Sequence, residues 1–552
     1  MISAARSWHR GRAGARWLFG AGAVACLVML PIIALLLQAL QGSAGLWSHL
    51  VSTILPVALA DTAILLAGVG LITAILGTST AWLVTAYAFP GRRMLEWALL
   101  LPLAVPTYII AYAYLDILHP IGSVQGAIRW MLGYSSPREF RLPGVRSMTG
   151  CILLLGFVLY PYVYIPTRAM FLTQSANLID ASRTLGISRR AVFWHVALPL
   201  ARPAVAVGVS LALMETLNDI GASEFLGVRT LTVSIYTTWI TRSDLPGASQ
   251  IALSLLIVVV ALVALEKWAR GRQRYSSGAQ RSRAFEPRRV SKGKGFLLLF
   301  AGLLPILIGF GAPALYLVTE AWKRIEFAGL SPRFFTEAFN TIVLASAATI
   351  ATVLCGLLIA YASRLRPGAA TAWLQRLSTL GYAAPGTVVA IGVLIVLATF
   401  DGFIDRTASA WFGVSTGLLF IGSGAALLYA YTVRFLAISA GGIDAGLQRI
   451  PMSFDHASRV LGQSAGGTFR HVHLPLSKAA ITAAGLLVFV DCVKELPATL
   501  LLRPLNVETF ATHLYGEAAR GTYEEDSIAA LAIVVIGILP VILLSRMGQS
   551  RQ

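Results

Sequence analysis

Two apolar stretches of this 552-residue chain each carry a pair of acidic residues four positions apart. Glu215 and Asp219 form the first pair, and Asp491 and Glu495 form the second, with Lys494 beside them. Residues four apart lie on one face of a helix, and a charge inside a membrane costs at least about 2.5–3.5 kcal/mol unless it faces a cavity or a partner. The acids therefore either line a path for a cation or form structural ion pairs in which Lys494 neutralises an acid. The sequence favours neither alternative.

Histidine and cysteine side chains offer other chemistry, but their placement argues against it. His195, His471 and His473 lie in charged loops away from the acids, where packing is a better interpretation than metal binding. The four cysteines fall in apolar stretches without a Cys-x-x-Cys pair, which indicates neither zinc nor disulfides. No phosphate loop and no Ser-His-Asp grouping occur, so we expect no enzyme activity and no cofactor bound by this chain.

A charged segment precedes each acidic pair, and the chain contains this segment twice. The copies are residues 180–200 and 456–476, and twelve residues of the first recur in the second at an offset of 276. Such repetition indicates an internal duplication. Each copy predicts a short helix, a turn at Gly186 or Gly462, a second short helix and a stop at Leu-Pro, whose proline suits the first turn of the next helix.

Both copies resemble the EAA loop of ABC-importer permeases, with its alanines, glycine and closing Leu-Pro. In that family the loop forms a coupling helix seated in a cleft of a cytoplasmic ATPase, so the resemblance implies an ATPase-coupling role for ten residues. They are Asp180, Ala181, Ser182, Gly186, Pro199, His456, Ala457, Ser458, Gly462 and Pro475. The second copy departs from the pattern, because His456 occupies the acidic position and Asp455 stands one residue earlier. A merely solvated basic loop is the alternative, which the duplication disfavours.

The residues around the acids resemble those of the fused permeases of ferric-iron importers. The matching stretches are 219–236 and 494–504, which begin Asp-Ile-Gly-Ala and Lys-Glu-Leu-Pro-Ala-Thr. The resemblance implies a permease that takes cargo from a periplasmic binding protein. It also implies that transport is driven by ATP, which is used by partner subunits, two copies of a cytoplasmic ABC ATPase. Permeases for thiamine, sulfate and polyamines share much of this pattern, so the residues alone do not name Fe(III).

The composition predicts a polytopic membrane protein, because 57% of the residues are hydrophobic and only 12% are charged. A membrane-spanning helix needs about 20 mostly apolar residues. Twelve stretches meet this requirement: 17–40, 57–87, 95–118, 148–172, 200–226, 249–268, 295–320, 338–363, 375–400, 415–437, 475–500 and 524–545. The first is too long for a cleaved signal peptide and lacks a convincing cleavage site.

The net charge of +19 is distributed in a way that argues against a nucleic-acid partner. Lys and Arg concentrate in alternate loops and at the two ends, with ten of them in 266–294 and none in 41–56. This is the positive-inside pattern of a multi-pass membrane protein with both termini cytoplasmic, and the resemblance to importer permeases implies that the membrane is the bacterial inner membrane. The loop 119–147 is an exception, since it holds four arginines and falls outside.

The duplication extends to the membrane spans. Asp61-Thr62, Gly77, Ala81 and Pro106 recur at an offset of 279 as Asn340-Thr341, Gly356, Ala360 and Pro385. We therefore predict an all-α fold of about twelve transmembrane helices in two parallel six-helix repeats. The predicted division is repeat one at 1–268 with coupling loop 177–200, a basic cytoplasmic linker at 269–294, and repeat two at 295–552 with coupling loop 453–476. The resemblance to the permease family implies that the first spans of the repeats, 17–40 and 295–320, wrap around the partner half or the bundle edge.

Helix breakers follow the acids in both repeats. Gly221, Pro497 and Pro504 predict breaks or bends near the outer ends of the acid-bearing helices. Movable outer ends fit a gate. A secondary transporter that uses the acids as proton carriers is the main rival class, and the paired coupling segments argue against it.

Overall fold

The computed structural model describes five stretches of the chain, residues 2–42, 45–173, 188–270, 287–521 and 527–549. These stretches are almost entirely helical, which confirms the predicted all-α class. Two two-residue strands, β1 (Tyr87–Ala88) and β2 (Arg288–Arg289), pair in parallel.

The described helices before the central linker range in length from 4 to 40 residues. They are α1 (Ile2–Gln41), α2 (Leu46–His49), α3 (Leu55–Ala86), α4 (Arg92–Ala98), α5 (Thr107–Ile117), α6 (Ser123–Leu132), α7 (Met148–Thr173), α8 (Arg189–Val192), α9 (Leu198–Asn218), α10 (Gly221–Phe225), α11 (Leu231–Ile240) and α12 (Leu245–Arg270). Of the predicted linker 269–294, residues 271–286 lie outside the described stretches.

The helices after the linker follow a similar order. They are α13 (Lys292–Ile306), α14 (Ala312–Ala328), α15 (Pro332–Leu365), α16 (Ala369–Ala383), α17 (Gly386–Phe412), α18 (Gly424–Gln448), α19 (Met452–Val460), α20 (Ala465–Thr468), α21 (Leu474–Val493), α22 (Pro497–Leu502), α23 (Phe510–Arg520) and α24 (Ser527–Gln549). Single π-helical turns lie at Leu50–Ile54, Phe193–Ala197, Leu307–Gly311 and Phe469–His473, and a 3₁₀ turn lies at Leu101–Ala104.

Ten helices of the described stretches are long and apolar enough to cross a membrane, and they overlap ten of the twelve predicted spans. The predicted span 95–118 corresponds to a pair of helices, Arg92–Ala104 and Thr107–Ile117, bent by 91°. The predicted span 524–545 corresponds to a shorter apolar helix, Ser527–Ile542. The chain is therefore a multi-pass α-helical membrane protein.

Prolines at equivalent positions break two of the predicted spans. Pro106 and Pro385 both adopt extended backbone, with ψ of 143° and 150°, and stand directly before the first residues of α5 and α17. Proline lacks the N–H that a helix interior needs, and its ring clashes with the preceding turn. The prediction of continuous helices through 95–118 and 375–400 was therefore wrong, because hydropathy does not register this local restriction.

The chain forms two compact units that do not follow the sequence order of the repeats. Unit 1 comprises Met1–Leu50, Ile235–Leu256 and Ser331–His513. Within it, α1 packs against α15, α16 and α17, which belong to the second repeat. This confirms for the first span the expected packing against the partner half.

Unit 2 comprises Val51–Ser234, Ile257–Leu330 and Leu514–Gln552. Within it, the first span of the second repeat packs against the first repeat, with α13 on α3 and α4 and α14 on α5. Both first spans thus leave the repeat to which they belong in sequence.

Glycines at equivalent positions allow the central helices of each unit to approach closely. In unit 2, α3 packs on α7, and a Cβ added at Gly77 would lie 2.5 Å from Val163 Cβ. In unit 1, α15 packs on α18, and a Cβ at Gly356 would collide with Ser439. Small residues at membrane helix contacts permit this close approach of backbones, which explains why glycine occurs at both positions.

Candidate coupling segments and membrane acids

The second coupling segment is a helix-turn-helix, as predicted. Its first helix, α19, ends at Gly462, whose φ of +82° lies in the left-handed region. The N–H of Gln463 donates to the Ser458 carbonyl at 3.0 Å, which closes the helix end. Glycine adopts this conformation without the penalty that a Cβ would bring. The predicted turn at Gly462 is confirmed.

The predicted stop at Leu-Pro was wrong. The chain remains helical from Ala465 to Val493, and Pro475 lies in the first turn of α21. A π-helical turn at Phe469–His473 precedes it, in which the Leu474 N–H donates to the Phe469 carbonyl five residues earlier. The first copy has the same turn at Phe193–Ala197, followed by Pro199. A wider turn accommodates the proline inside one continuous helix, so no break is needed.

The two faces of α19 have different surroundings. His456 and Ala457 are exposed, whereas Ser458 is buried and its hydroxyl lies 2.8 Å from that of Thr468. Val460 and Leu461 are 87% and 80% exposed. Ser458 therefore joins the two short helices, while a partly apolar surface is left open to a partner.

Asp455 points into the protein. Its Oδ2 lies 2.5 Å from Arg364 Nη2, and its Oδ1 lies 3.2 Å from His473 Nε2, within ion-pair distance but without the geometry of a hydrogen bond. Burial raises the pKa of Asp455, but the contacts with Arg364 and His473 outweigh burial and hold the pKa below its usual range. Asp455 is thus an internal anchor and does not replace the acid missing at His456.

Most of the first coupling segment cannot be compared directly. Asp180, Ala181, Ser182 and Gly186 lie outside the described residues. From Ser188 onward the two copies agree, since the hydroxyls of Ser188 and its equivalent Ser464 both accept a backbone N–H at the start of the next helix.

The histidines of the segments have local partners. His195 Nδ1 lies 3.0 Å from the Ala191 carbonyl, and His471 Nδ1 lies 3.0 Å from the Gly467 carbonyl. Within the described stretches no group of three or more His, Cys, Asp or Glu side chains is arranged to hold a metal ion. His195 and His471 are exposed and each contacts a backbone carbonyl one turn earlier in its own segment.

An aromatic contact between equivalent positions attaches each coupling segment to a membrane helix. The ring of Phe193 lies 5.2 Å from that of Trp82 on α3, and the ring of Phe469 lies 4.8 Å from that of Tyr361 on α15. The two phenylalanines are equivalent at the offset of 276, and Trp82 and Tyr361 are equivalent at 279. Both repeats therefore seat the segment on the same turn of the same helix.

Glu495 is buried and fully engaged. Its Oε1 accepts from the Ala498 N–H at 2.9 Å, its Oε2 accepts from the Thr499 N–H at 3.0 Å, and Arg434 Nη1 lies 2.5 Å from Oε1. The carboxylate thus caps α22 where the membrane helix breaks at Pro497, a break predicted from the sequence. Arg434 was not among the predicted site residues, although a lone arginine within an apolar stretch is a signal for one.

Asp219 occupies the equivalent place in the first repeat. Its Oδ1 accepts from the Ala222 N–H at 2.9 Å and caps α10, which begins at the predicted break, Gly221. Its Oδ2 is buried without a hydrogen-bond partner among the described residues. The second acid of each pair, Asp219 or Glu495, therefore caps the short helix that follows the break.

Glu215 and Asp491, the first acids of the two pairs, are more accessible to solvent than Asp219 and Glu495. Asp491 Oδ1 lies 2.8 Å from Lys494 Nζ, and both side chains are 29% exposed. Glu215 is half-buried. Lys494, which was expected to neutralise one of the acids, thus pairs with Asp491.

Comparison with known proteins gives a consistent result along the chain. Residues 74–275 and 352–549 each match the family described as binding-protein-dependent transport system inner membrane component. The Fe(3+)-transport system permease protein FbpB 2 of Haemophilus influenzae is 24% identical over 491 residues, which are 88% of this chain and 89% of that protein. The ferric transport system permease protein FbpB of Actinobacillus pleuropneumoniae is 23% identical over 494 residues, 86% of this chain and 68% of that protein.

A permease for a different cargo matches a smaller part of the chain. The molybdenum transport system permease protein ModB of Escherichia coli is 27% identical over 198 residues, 35% of this chain and 83% of that protein. The family match occurs twice and covers more than half of the chain. The chain therefore belongs to the family of binding-protein-dependent transport system inner membrane components.

Proposed function

We propose that this chain is the complete membrane permease of an ATP-driven importer that moves Fe(III) into the cytoplasm. One observation carries the proposal: the duplicated segment is seated in the same way on α3 and on α15, through Phe193 on Trp82 and Phe469 on Tyr361. A transporter driven by two ATPase subunits needs two equivalent attachment points. A carrier driven by an ion gradient has no need of them.

The surface of α19 supports an ATPase as the partner. Buried Asp455 and Ser458 hold one face of the helix inside the protein, while His456, Ala457 and the exposed apolar residues after them remain available. An apolar patch beside polar residues on a short loop helix is typical of a docking site. Two copies of the ATPase, one for each segment, and a periplasmic binding protein complete the proposed assembly.

Fe(III) is the cargo that the comparisons favour. The relatives matched over most of this chain are named as ferric transport permeases, whereas the molybdenum permease matches about a third of it. Thiamine, polyamine or sulfate remains the alternative within the same class. The acids do not decide this question, because Asp219 and Glu495 are already engaged as helix caps.

Reconstitution into liposomes with the candidate ATPase and binding protein tests the proposal. We expect stoichiometric co-purification of the ATPase and uptake of Fe(III) that requires ATP and the binding protein. Thiamine, spermidine and sulfate in parallel vesicles distinguish the cargoes. Uptake that follows a proton gradient and needs no ATPase would instead establish the rival class of secondary transporters.

A further inference from the structure

We propose that Arg364 is a positioning residue that fastens the second coupling segment to the last turn of α15, so that a movement of the segment turns this membrane helix with it. The inference rests on the coupling role proposed above. Arg364 is a buried cation that was not among the predicted site residues, and the similarity to known proteins does not indicate a role for it.

The guanidinium of Arg364 connects three parts of the chain. Its Nη1 donates to the Leu447 carbonyl at 2.5 Å, and its Nη2 donates to the Ile450 carbonyl at 2.9 Å and to Asp455 Oδ2 at 2.5 Å. The two carbonyls lie at and just beyond the end of α18, where helix carbonyls lack partners within the helix. The planar guanidinium holds its N–H donors in a fixed geometry and so fixes these three acceptors relative to one another, whereas the ammonium of a lysine does not.

Tyr361, about one turn before Arg364 in α15, makes a second contact, with the other short helix of the coupling segment, α20. The Tyr361 hydroxyl donates to the Ala465 carbonyl at 2.7 Å, at the start of α20. Trp17 of α1 packs on the same ring at 4.7 Å. The last two turns of α15 therefore hold both helices of the coupling segment, α19 through Arg364 and α20 through Tyr361.

The energetics point to positioning more than to stability. A buried ion pair contributes little net stability, since removing two charges from water offsets most of their attraction, and apolar replacements are often neutral or stabilising. In addition, the Nε of Arg364 is buried without a hydrogen-bond partner in the described part of the chain, which costs free energy. What the arrangement does provide is a fixed geometry between α15, α18 and α19.

The first repeat has a threonine at the position of this cation. At the offset of 279 the position of Arg364 corresponds to Thr85, whose hydroxyl donates to the Ala81 carbonyl of its own helix at 2.7 Å. The attachment through the aromatic pair is therefore common to both repeats, whereas the position of Arg364 carries no cation in the first.

The test uses the reconstituted assembly and three variants. Arg364→Met combined with Asp455→Asn removes the attachment without leaving an unpaired buried charge, and Arg364→Lys keeps the charge opposite Asp455 but loses the fork. Arg449→Met is the matched control, since Arg449 is exposed and lies in the same loop. Folded yield, ATPase binding, ATP hydrolysis and cargo uptake are measured for each, per folded molecule.

We expect the double variant to fold, bind the ATPase and hydrolyse ATP within about twofold of wild type, but to transport about tenfold less cargo per ATP, the size of an ordinary coupling energy. Arg364→Lys should be intermediate, and Arg449→Met should match wild type. Wild-type cargo per ATP in the double variant would overturn the inference, as would loss of folded yield with unchanged transport per folded molecule. Wild-type protein that neither binds an ATPase nor uses ATP would instead overturn the proposed function.

Discussion

At the scale of single residues, the charged groups in the membrane divide into two kinds. Glu495 and Arg434 are buried, with 1% and 11% of their side chains exposed, and Glu495 also caps a helix. Asp491 and Lys494 form a half-exposed pair three residues apart. A buried charge that loses its partner is costly, whereas an accessible one is solvated, so the two pairs should respond differently to neutralisation.

The first prediction concerns the buried pair. Glu495→Gln should lower the free energy of unfolding of the purified protein by about 3–5 kcal/mol, because it leaves Arg434 buried without a counter-charge. Adding Arg434→Met should restore much of the loss. Asp491→Asn serves as the control and should change stability by less than about 1 kcal/mol. Equal destabilisation by Glu495→Gln and Asp491→Asn, measured by thermal unfolding in detergent, would contradict the assignment.

The second prediction concerns the more accessible acids. Glu215 and Asp491 are equivalent in the two repeats, and acids that line a path should lower the barrier for a cation. Neutralising both, with Glu215→Gln and Asp491→Asn, should reduce cation uptake while assembly and ATPase binding remain intact. Uptake and detergent-extracted yield are measured for each single and double variant. Lost yield at unchanged transport per folded molecule would show that these acids only hold helices together.

At the scale of elements, the coupling segment depends on its turn. Gly462 has a φ of +82° with no atom near its missing Cβ, so a substitution there acts through backbone strain and not through a clash. A left-handed residue with a β-branched side chain costs roughly 1–2 kcal/mol. The helix α19 would then be displaced from its position beside α20.

The third prediction follows from this turn. Gly462→Val, and more strongly Gly462→Val with Gly186→Val, should reduce ATPase co-purification and uptake. Gly466→Ala is the matched control, because Gly466 lies in the helical part of the segment with open space at its Cβ. Normal co-purification and uptake in the double variant would refute a coupling role for these turns.

One hydrogen bond between membrane helices is common to both repeats. Leu231 N–H donates to the Thr62 hydroxyl at 3.0 Å in the first repeat, and Phe510 N–H donates to the Thr341 hydroxyl at 3.0 Å in the second. These threonines are equivalent at the offset of 279, and each binds the first N–H of the second helix after the break, α11 or α23. Their partners on that helix lie almost 170 residues away, so only the repeat itself was visible in the sequence.

At the scale of the whole molecule, the orientation in the membrane is the remaining prediction. The basic loops predict that both termini and the linker 269–294 lie in the cytoplasm. Single cysteines at Ser3, Ser277 and Ser550, in a background without the four natural cysteines, should not react with an impermeant thiol reagent added to intact cells. They should react after the cells are opened. Efficient labelling of any of the three from outside would contradict this orientation.

The sequence by itself determined the features that depend on local pattern or on repetition. Hydropathy gave the apolar spans, because a lipid environment requires a long apolar helix whatever its neighbours are. The offset of 276 gave the paired coupling segments, and a glycine between two short amphipathic stretches gave the turn at Gly462. Gly221 and Pro497 likewise predicted the breaks after the acids, because the restriction acts within one turn of the chain.

Only the tertiary structure decided which distant groups meet. Arg434 and Glu495 are 61 residues apart, and Arg364 and Asp455 are 91 apart, so neither pair leaves a periodic signal. The sequence offered Lys494 as the neighbour of Glu495, yet the helix packing brought Arg434 there instead. The exchange of first spans between repeats was equally out of reach of hydropathy, since an apolar helix fits either partner. The choice of partner depends on the shapes and charges that several helices present together, and these exist only once the chain is folded.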